Sequence, residues 1–307
     1  MRYLFTFFTL LFLQLSLFAQ EKEYKNAIAV KHDNDFFIAG SDRYYSFGNF
    51  FAYKRKLSSD FIFKKKDNNT LQINFLLSQQ GYTPDEQDEF EIEVFDYPFS
   101  GWLSVASEIV TATQKNGVKL KLEAGVTGDA SLAGNLQRWY HSFLGIGDEP
   151  TWVGQIPGAF LINVQGKYIK EFSLAEKQNT FLSFLSNGSL GLKDIFLEQE
   201  ILFSLGKRNR LNKTALYDFI GNGKPEIYVY AGVSYRYVAH NLLIEGSLFN
   251  DDAPFTLDAN NDLFKFRMGG SFSLGRSRIK IEYQYNTAET ELSNEHDFMS
   301  FTFERSF

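Results

Sequence analysis

Apolar and polar residues alternate along most of the chain. In the segment 263–274, "LFKFRMGGSFSL", Phe264 and Phe266 alternate with Lys265 and Arg267. The same period of two recurs in "IYVYAGVSYRYV", "RIKIEYQYN" and, at the end of the chain, "MSFTFERSF". Because successive side chains of a strand point to opposite faces, this period predicts β-strands with one apolar and one polar face.

The predicted strands are long. Sandwich strands average about five or six residues, whereas a tilted membrane-spanning strand needs about 9–11. We therefore predict an all-β fold, a transmembrane antiparallel β-barrel of about 12 strands, with a secreted β-sandwich as the alternative. Beyond the segments quoted above, alternation covers eight stretches: 26–33, 46–57, 70–79, 99–111, 117–126, 159–170, 179–188 and 191–204.

The strand count and the connections follow from the same pattern. The stretch 226–249 fits either one long strand or a hairpin broken near "AHN". An even number of strands is the rule in single-chain bacterial barrels, which favours about 12 with both termini in the periplasm. The connections "NGSLG" (187–191) and "LGRSR" (274–278) are short and are interpreted as periplasmic turns.

Composition narrows the cellular location. Residues 1–19, "MRYLFTFFTLLFLQLSLFA", have an early positive charge, an apolar stretch and a small final residue, which predicts a signal peptide; a spanning anchor is the alternative. Residues 20–307 would then form a single β-barrel domain in the outer membrane of a Gram-negative cell. The chain has no cysteine and a net charge of −6. This acidic balance gives no indication of a basic surface that would bind nucleic acid.

One segment interrupts the alternation. "SLAGNLQRWYHSFLG", residues 131–145, predicts a short helix on the extracellular side, with Ser131 as its N-cap and Gly145 as its stop. We expect the helix at the barrel's extracellular mouth, where it would carry His141. Its apolar residues fall at helical spacing: Leu132, Leu136, Trp139, Tyr140, Phe143 and Leu144.

Two groups of residues could carry chemistry. The oxygens of Asn34 and Asp35, in "HDNDFF", suit Ca²⁺. The neutral imidazole of His141 can accept a proton from water near neutral pH. Together they could form a metal-assisted ester hydrolase. The alternatives are a turn stabilised by its own carboxylates and a structural or solvated histidine. The chain lacks the G-x-S-x-G nucleophile elbow of α/β-hydrolases.

Three ordered motifs resemble the outer-membrane lipid A 3'-O-deacylase family. They are "NDFFIAGSDRYYSFG" (34–48), "DYPFSGWL" (96–103) and "GVTGDASLAGNLQRWYHSFLGIGDEPTWVGQI" (125–156). A fourth stretch, "AGVSYRYVAHNLLIEG" (231–246), matches more loosely. The third motif is specific, and the resemblance covers nearly the whole chain after residue 19.

The resemblance implies a 12-stranded barrel that removes an ester-linked acyl chain from lipid A by water attack and needs Ca²⁺. Asn34 and Asp35 would bind the metal and help to stabilise the oxyanion. Ser46 would contact substrate or water, and Gln137 would belong to the substrate and oxyanion contacts. His141 would be the general base. The implied partners are lipopolysaccharide and outer-membrane lipid, bound by a monomer.

The sequence differs from the family pattern at three places. Gly147 stands where some members have a glutamate, so Asp148 or Glu149 is expected to orient the imidazole of His141. The stretch 81–96 is acidic where members use basic residues to meet the lipid, and Tyr97 replaces a common arginine. The expected substrate is therefore a lipid A with fewer phosphates or a different acylated lipid.

Two other functions remain open from the sequence. A barrel phospholipase would use Ser46 as nucleophile with His141 as its base. A non-enzymatic barrel, such as a channel or structural protein, would need neither residue. Replacing Ser46 separates the two enzymes, and ion conductance without acyl release would identify the channel.

Overall fold

The structure is a computed structural model that describes residues 24–35, 38, 43–58, 69–145, 149–175, 179–250 and 252–307. The predicted signal peptide, 1–19, lies outside these residues. Each strand pairs with its sequence neighbours, and β12 pairs with β1, so the sheet closes into a barrel of 12 antiparallel strands. The predicted fold is confirmed. The strands are β1 Asn26–Asn34, β2 Tyr44–Lys56, β3 Thr70–Thr83, β4 Ser100–Ala112, β5 Asn116–Val126, β6 Phe160–Ser173, β7 Thr180–Gly191, β8 Asp194–Lys207, β9 Glu226–Asn241, β10 Asp262–Leu274, β11 Ser277–Asn286 and β12 His296–Ser306.

The alternation of the sequence becomes the inside and outside of the barrel. In β5, Val118, Leu120 and Leu122 are exposed on the outer face, while Lys119 and Glu123 are buried in the lumen. Exposed apolar side chains cover the outer face of the barrel, and buried polar side chains line its lumen. This is the arrangement of a transmembrane barrel.

The two ends of the barrel differ in their connections. The backbone N–H of Asn26 donates to the carbonyl of Phe307 at 3.0 Å, so both described ends of the chain lie together at what we call the terminal end. The opposite end, the loop end, carries three of the four longest connections, 84–99, 127–159 and 242–261. Since the longer loops of outer-membrane barrels are extracellular, the loop end faces outward from the cell.

One predicted turn is wrong. Residues 187–191 belong to β7, and the turn that follows them lies at the loop end. Gly188 pairs with Gly166 of β6 and Leu197 of β8, so ladders on both sides keep this Asn-Gly sequence extended. The other predicted turn is confirmed, because 275–276 joins β10 to β11 at the terminal end.

The stretch 226–249 is one strand followed by a helical turn. β9 ends at Asn241, whose side chain accepts a hydrogen bond from the N–H of Leu243 at 3.1 Å. This bond caps the short helix Leu242–Glu245, which is α2 in chain order. Across the described ranges, no α-helix is long and apolar enough to cross a bilayer.

The lumen is filled at the terminal end by the connection 208–225. Its Phe219 and Ile220 are fully buried. Arg278 donates to the carbonyl of Phe219, and Gln72 accepts from the N–H of Ile220 at 3.0 Å. The buried Arg208 is paired with a lumen carboxylate of β6. We call 208–225 the plug, because it occupies the interior of the barrel.

The predicted helix is present and begins one residue later than expected. It spans Ala133–Leu144, which is α1, and follows a 3₁₀ turn. Leu132, in the left-handed region at φ 59°, is the N-cap instead of Ser131. Ser131 closes the preceding turn by donating to the Gly128 carbonyl at 2.6 Å, although its Oγ also accepts from Ala133 N–H at 3.3 Å. The predicted stop is confirmed at Gly145.

Candidate active site between helix α1 and the barrel wall

Helix α1 lies against the outside of the barrel rather than over its mouth. It packs on β3 and β4 at the loop end. On β3, the side-chain amide of Gln79 donates to the carbonyl of Ser131 at 2.9 Å. On β4, Gly101 leaves room for the helix, since a Cβ there would lie 2.7 Å from the Cβ of Ala133. The extracellular side is as predicted, but the helix stands beside the wall.

The face of α1 that packs on the wall is mostly polar. Ala133, Gln137 and His141 follow one another at intervals of four residues and are all buried. Two of the apolar residues that predict the helix, Trp139 and Phe143, lie on a different face and are exposed. His141 is therefore held between helix and barrel.

The Asp-Asn-Asp sequence at the end of β1 is divided between the two faces of the wall. Asp33 points into the lumen, where its carboxylate accepts from Ser300 Oγ at 2.6 Å and from the Tyr45 hydroxyl at 2.9 Å. Asn34 points outward, and its Nδ2 donates to the carbonyl of Ser46 at 3.3 Å. Its Oδ1 is buried and has no hydrogen-bond partner among the described residues.

Asp35 closes the connection between β1 and β2. It is fully buried, and its Oδ2 accepts from the backbone N–H of Arg43 at 2.8 Å. Its carbonyl accepts from Ile38 N–H at 2.9 Å. The turn stabilised by its own carboxylate, which was the alternative from the sequence, therefore explains the hydrogen bond of one carboxylate oxygen, Oδ2. Asp35 also stays beside Asn34, so the two predicted metal ligands are neighbours at one strand end.

Ser46 occupies a β-bulge, where the register of β2 against β3 shifts between Tyr45 and Phe47. It is fully buried, and its Oγ lies 2.6 Å from Oγ1 of Thr83. Bulges commonly redirect a side chain at a functional site. Thr83 was not predicted, and only the pairing of β2 with β3 identifies it.

A cavity of about 210 Å³ lies between α1 and the outer wall. It brings together Asn34 and Gln137, two of the predicted substrate residues. His141 follows Gln137 by one helical turn on the same buried face. Most of the walls are apolar, which suits a hydrocarbon chain. The lining residues are His32, Asn34, Phe47 and Asn49 of the barrel and Leu136, Gln137, Trp139 and Tyr140 of the helix.

The loops at this end fix the position of Gln137. The indole N–H of Trp152 donates to Oε1 of Gln137 at 2.7 Å. Nε2 of Gln137 in turn donates to the side-chain oxygen of Gln87 at 3.2 Å. Trp152 covers Gly134, where a Cβ would lie 2.9 Å from the indole ring. Trp152, which follows the helix in the third sequence motif, therefore fixes the side chain of Gln137 in the site.

Asp148 and Glu149 are the two acids expected to orient the imidazole of His141. Asp148 and Gly147 lie outside the described residues. The side chain of Glu149 is 69% exposed, and its oxygen lies 3.9 Å from Nε of Arg138. This exposure makes Glu149 a weak candidate, since an orienting acid is usually held in place by its surroundings.

The polar pair His32 and Asn49 was not predicted. The two side chains face each other across β1 and β2, with Nδ1 and Oδ1 2.9 Å apart. Both lie on the outer face, where lipid-facing strands carry apolar residues. The signal available in the sequence is that two polar residues occupy positions in the apolar phase near the end of a strand.

Tyr97 is buried beneath the loops. Its hydroxyl donates to Glu289 at 2.9 Å. Burial raises the pKa of Tyr97 well above its ordinary value, and the adjacent Glu289 raises it further. The phenol therefore stays protonated and serves as a structural donor, so it does not replace the lipid-facing arginine of the family pattern. Nearby exposed acids, such as Glu89, leave loop 84–99 negative.

A calcium ion at this strand end would be bound by amide, carboxylate and backbone oxygens. Over the described part of the chain, no group of three or more His, Cys, Asp and Glu side chains is arranged to hold a metal. The buried Oδ1 of Asn34 is a hard oxygen of the kind that Ca²⁺ prefers. It lies next to Asp35, so a cation at this strand end remains compatible with the donor set.

Comparisons with known proteins agree with the barrel fold. Residues 4–307 match the family described as "Outer membrane protein LpxR". LpxR from Salmonella typhimurium has 20% sequence identity and a TM-score of 0.76, over 92% of this chain and all of that one. An outer membrane channel from Pseudomonas putida F1 reaches 10% identity and a TM-score of 0.48, over 92% and 96% of the two chains, which is too distant to support an argument. No curated protein sequence gives a significant match.

Proposed function

The chain belongs to the LpxR family of outer membrane proteins, and we propose that it is a lipid A deacylase that hydrolyses an ester-linked acyl chain. The observation that carries the proposal is the position of the cavity. Asn34 and Gln137 line it on the outer surface of the barrel, where the substrate of the enzyme would be a membrane lipid. A lumen site would instead suit a soluble solute.

In the proposed reaction, water attacks the ester carbonyl. His141, buried against the wall, accepts the proton of the attacking water and later returns it to the leaving alkoxide. The amide of Gln137 is held by Trp152 and is positioned to contact the substrate. Asn34 and Asp35 would hold the calcium ion. When bound, the ion would polarise the carbonyl and stabilise the oxyanion.

The barrel phospholipase with a serine nucleophile has less support. The hydroxyl of Ser46 bonds to Thr83, which cannot serve as a general base. A hydroxyl held at a buried bulge is suited to orienting water or substrate through a hydrogen bond. We therefore assign Ser46 a positioning role beside Asn34.

The acidic loop 84–99 bears on the choice of substrate. Gln87, in this loop, is hydrogen-bonded to Gln137, so the loop borders the site. Exposed carboxylates there repel phosphate groups, because like charges at short range are unfavourable even near water. We propose a lipid A with fewer phosphates, or a related acylated glycolipid, as the preferred substrate.

The purified protein in vesicles gives a direct test. Lipid A in the bilayer should lose an acyl chain, which mass spectrometry detects as a free fatty acid and a lighter lipid. The same vesicles contain glycerophospholipid as an internal comparison. Fatty acid released only from the glycerophospholipid would replace the proposal with the phospholipase, and no release from either would reject an ester hydrolase.

A further inference from the structure

Helix α1 has three distinct faces. The first, with Gln137 and His141, packs on the wall. The second is polar and exposed and includes Asn135 and Ser142. At 100° per residue, the third is centred roughly 110° from the centre of Ala133, Gln137 and His141 and roughly 100° from the centre of Asn135 and Ser142. The third face consists of apolar and aromatic side chains: Leu136, Trp139, Tyr140 and Phe143.

The apolar face carries a stacked aromatic pair. Trp139 and Phe143 are 58% and 71% exposed. Their ring centroids lie 5.4 Å apart with an angle of 10° between the planes. Two adjacent large rings with this much exposure are costly in water, since burial of apolar surface is worth roughly 25 cal/mol per Å². Such a patch usually marks a surface that contacts protein or membrane.

The adjoining barrel wall indicates whether the aromatic patch contacts protein or membrane. Helix α1 sits on β3 and β4 at the level of Gln79 and Gly101. Two and four residues further toward the terminal end, on the same outer face, Leu77 and Val105 are exposed. Those residues belong to the apolar band that faces lipid. The apolar face of α1 is therefore continuous with the lipid-facing surface of the barrel.

We propose that α1 lies in the outer leaflet as an interfacial helix, with Trp139 and Phe143 inserted among the acyl chains. Amphipathic helices bury their apolar face about 5–10 Å into this region, and tryptophan is enriched there. The same edge of the helix supplies Leu136, Trp139 and Tyr140 to the cavity. An acyl chain can therefore pass from the leaflet into the cavity without crossing water. This second step rests on the proposed function, whereas the insertion does not.

Tryptophan fluorescence tests the insertion. The chain has three tryptophans, and Trp102 and Trp152 are buried within the protein. Subtracting the spectrum of Trp139→Phe from that of the unmodified protein isolates Trp139. In vesicles of phospholipid brominated on its acyl chains, the Trp139 signal should be quenched to less than half of its value in unbrominated vesicles.

Two outcomes would overturn the insertion. If aqueous iodide quenches Trp139 and brominated lipid does not, the helix projects into water. If neither quencher acts, another protein surface covers the face, and a molecular mass by light scattering distinguishes a second copy from other causes. Both outcomes can be read whether or not the protein has activity.

Acyl release tests the passage of the chain into the cavity. Phe143→Ser should lower the rate on lipid A in vesicles several-fold and leave the rate in detergent micelles unchanged, because micelles deliver the lipid without a leaflet. Phe249→Ser, at an 83% exposed phenylalanine in the 242–261 connection, is the matched control and should have no effect. Equal losses in the two variants, or equal losses in vesicles and micelles, would overturn this step.

Discussion

Substituting Gly101 by alanine should displace α1 without disturbing the barrel. The φ angle of Gly101 is not in the left-handed region, so alanine is compatible with its backbone. The new Cβ would lie 2.7 Å from Ala133 Cβ and 3.0 Å from Ser131 Cβ. Carbon atoms pack at about 3.5 Å or more. The start of the helix must therefore move outward by roughly 0.8 Å, because neither contact can be relieved by rotating a side chain.

The displacement should reduce activity rather than folding. Gln137 and His141 ride on α1, whereas Asn34 belongs to the wall. A misplacement of about 1 Å at a reacting centre can cost ~10²-fold in rate. We expect Gly101→Ala to lose about that factor in acyl release from lipid A. Its unheated and boiled forms should still migrate differently on SDS gels, as a folded barrel does.

Gly166→Ala is the matched control. Gly166 also lies in a barrel strand, and a Cβ there would meet nothing within 4 Å. It should retain the full rate. Wild-type activity in Gly101→Ala would refute the idea that the separation of α1 from the wall sets the reacting geometry. If Gly101→Ala no longer folds, the strands of the barrel wall, and not the helix, must move to relieve the clash.

Three further results are expected. Ser46→Ala should reduce acyl release by about tenfold or less, the value of one hydrogen bond of about 0.5–1.5 kcal/mol; complete loss would favour a serine nucleophile. Asn34→Ala should lose activity and Ca²⁺ dependence together while the barrel folds, and full wild-type activity in excess chelator would rule out the metal. Planar bilayers containing the protein should show no stepwise conductance, because the plug (208–225) occupies the lumen; stable open channels would contradict this reading.

The period of two was sufficient to predict the barrel. A strand between hydrocarbon and a polar lumen must alternate, so Val118, Lys119 and Leu120 report the fold directly. The same rule sorts Asp33 and Asp35 onto one phase of β1 and Asn34 onto the other. Applied strictly, it would have assigned Asp33 to the lumen from the sequence.

Other features depend on partners that the sequence does not reveal. The Asn-Gly sequence at 187–188 is a good turn signal, yet two neighbouring strands hold it extended. The plug has loop composition and is buried only because a lumen encloses it. The place of α1 depends on Gly101 and Gln79, which are distant in sequence from the helix. For the same reason, Thr83 could not be predicted as a neighbour of Ser46.

The central claim is that His141 acts as the base in the removal of an acyl chain from lipid A. Mass spectrometry of lipid A, extracted from cells that produce either the unmodified protein or His141→Asn, tests it most directly. Proton transfer by a positioned side chain is worth ~10²–10⁴-fold. We predict that the unmodified protein yields lipid A lighter by one acyl chain and that the variant, folded in the outer membrane, leaves lipid A intact. Equal processing by the two proteins, or intact lipid A from both, would contradict the account.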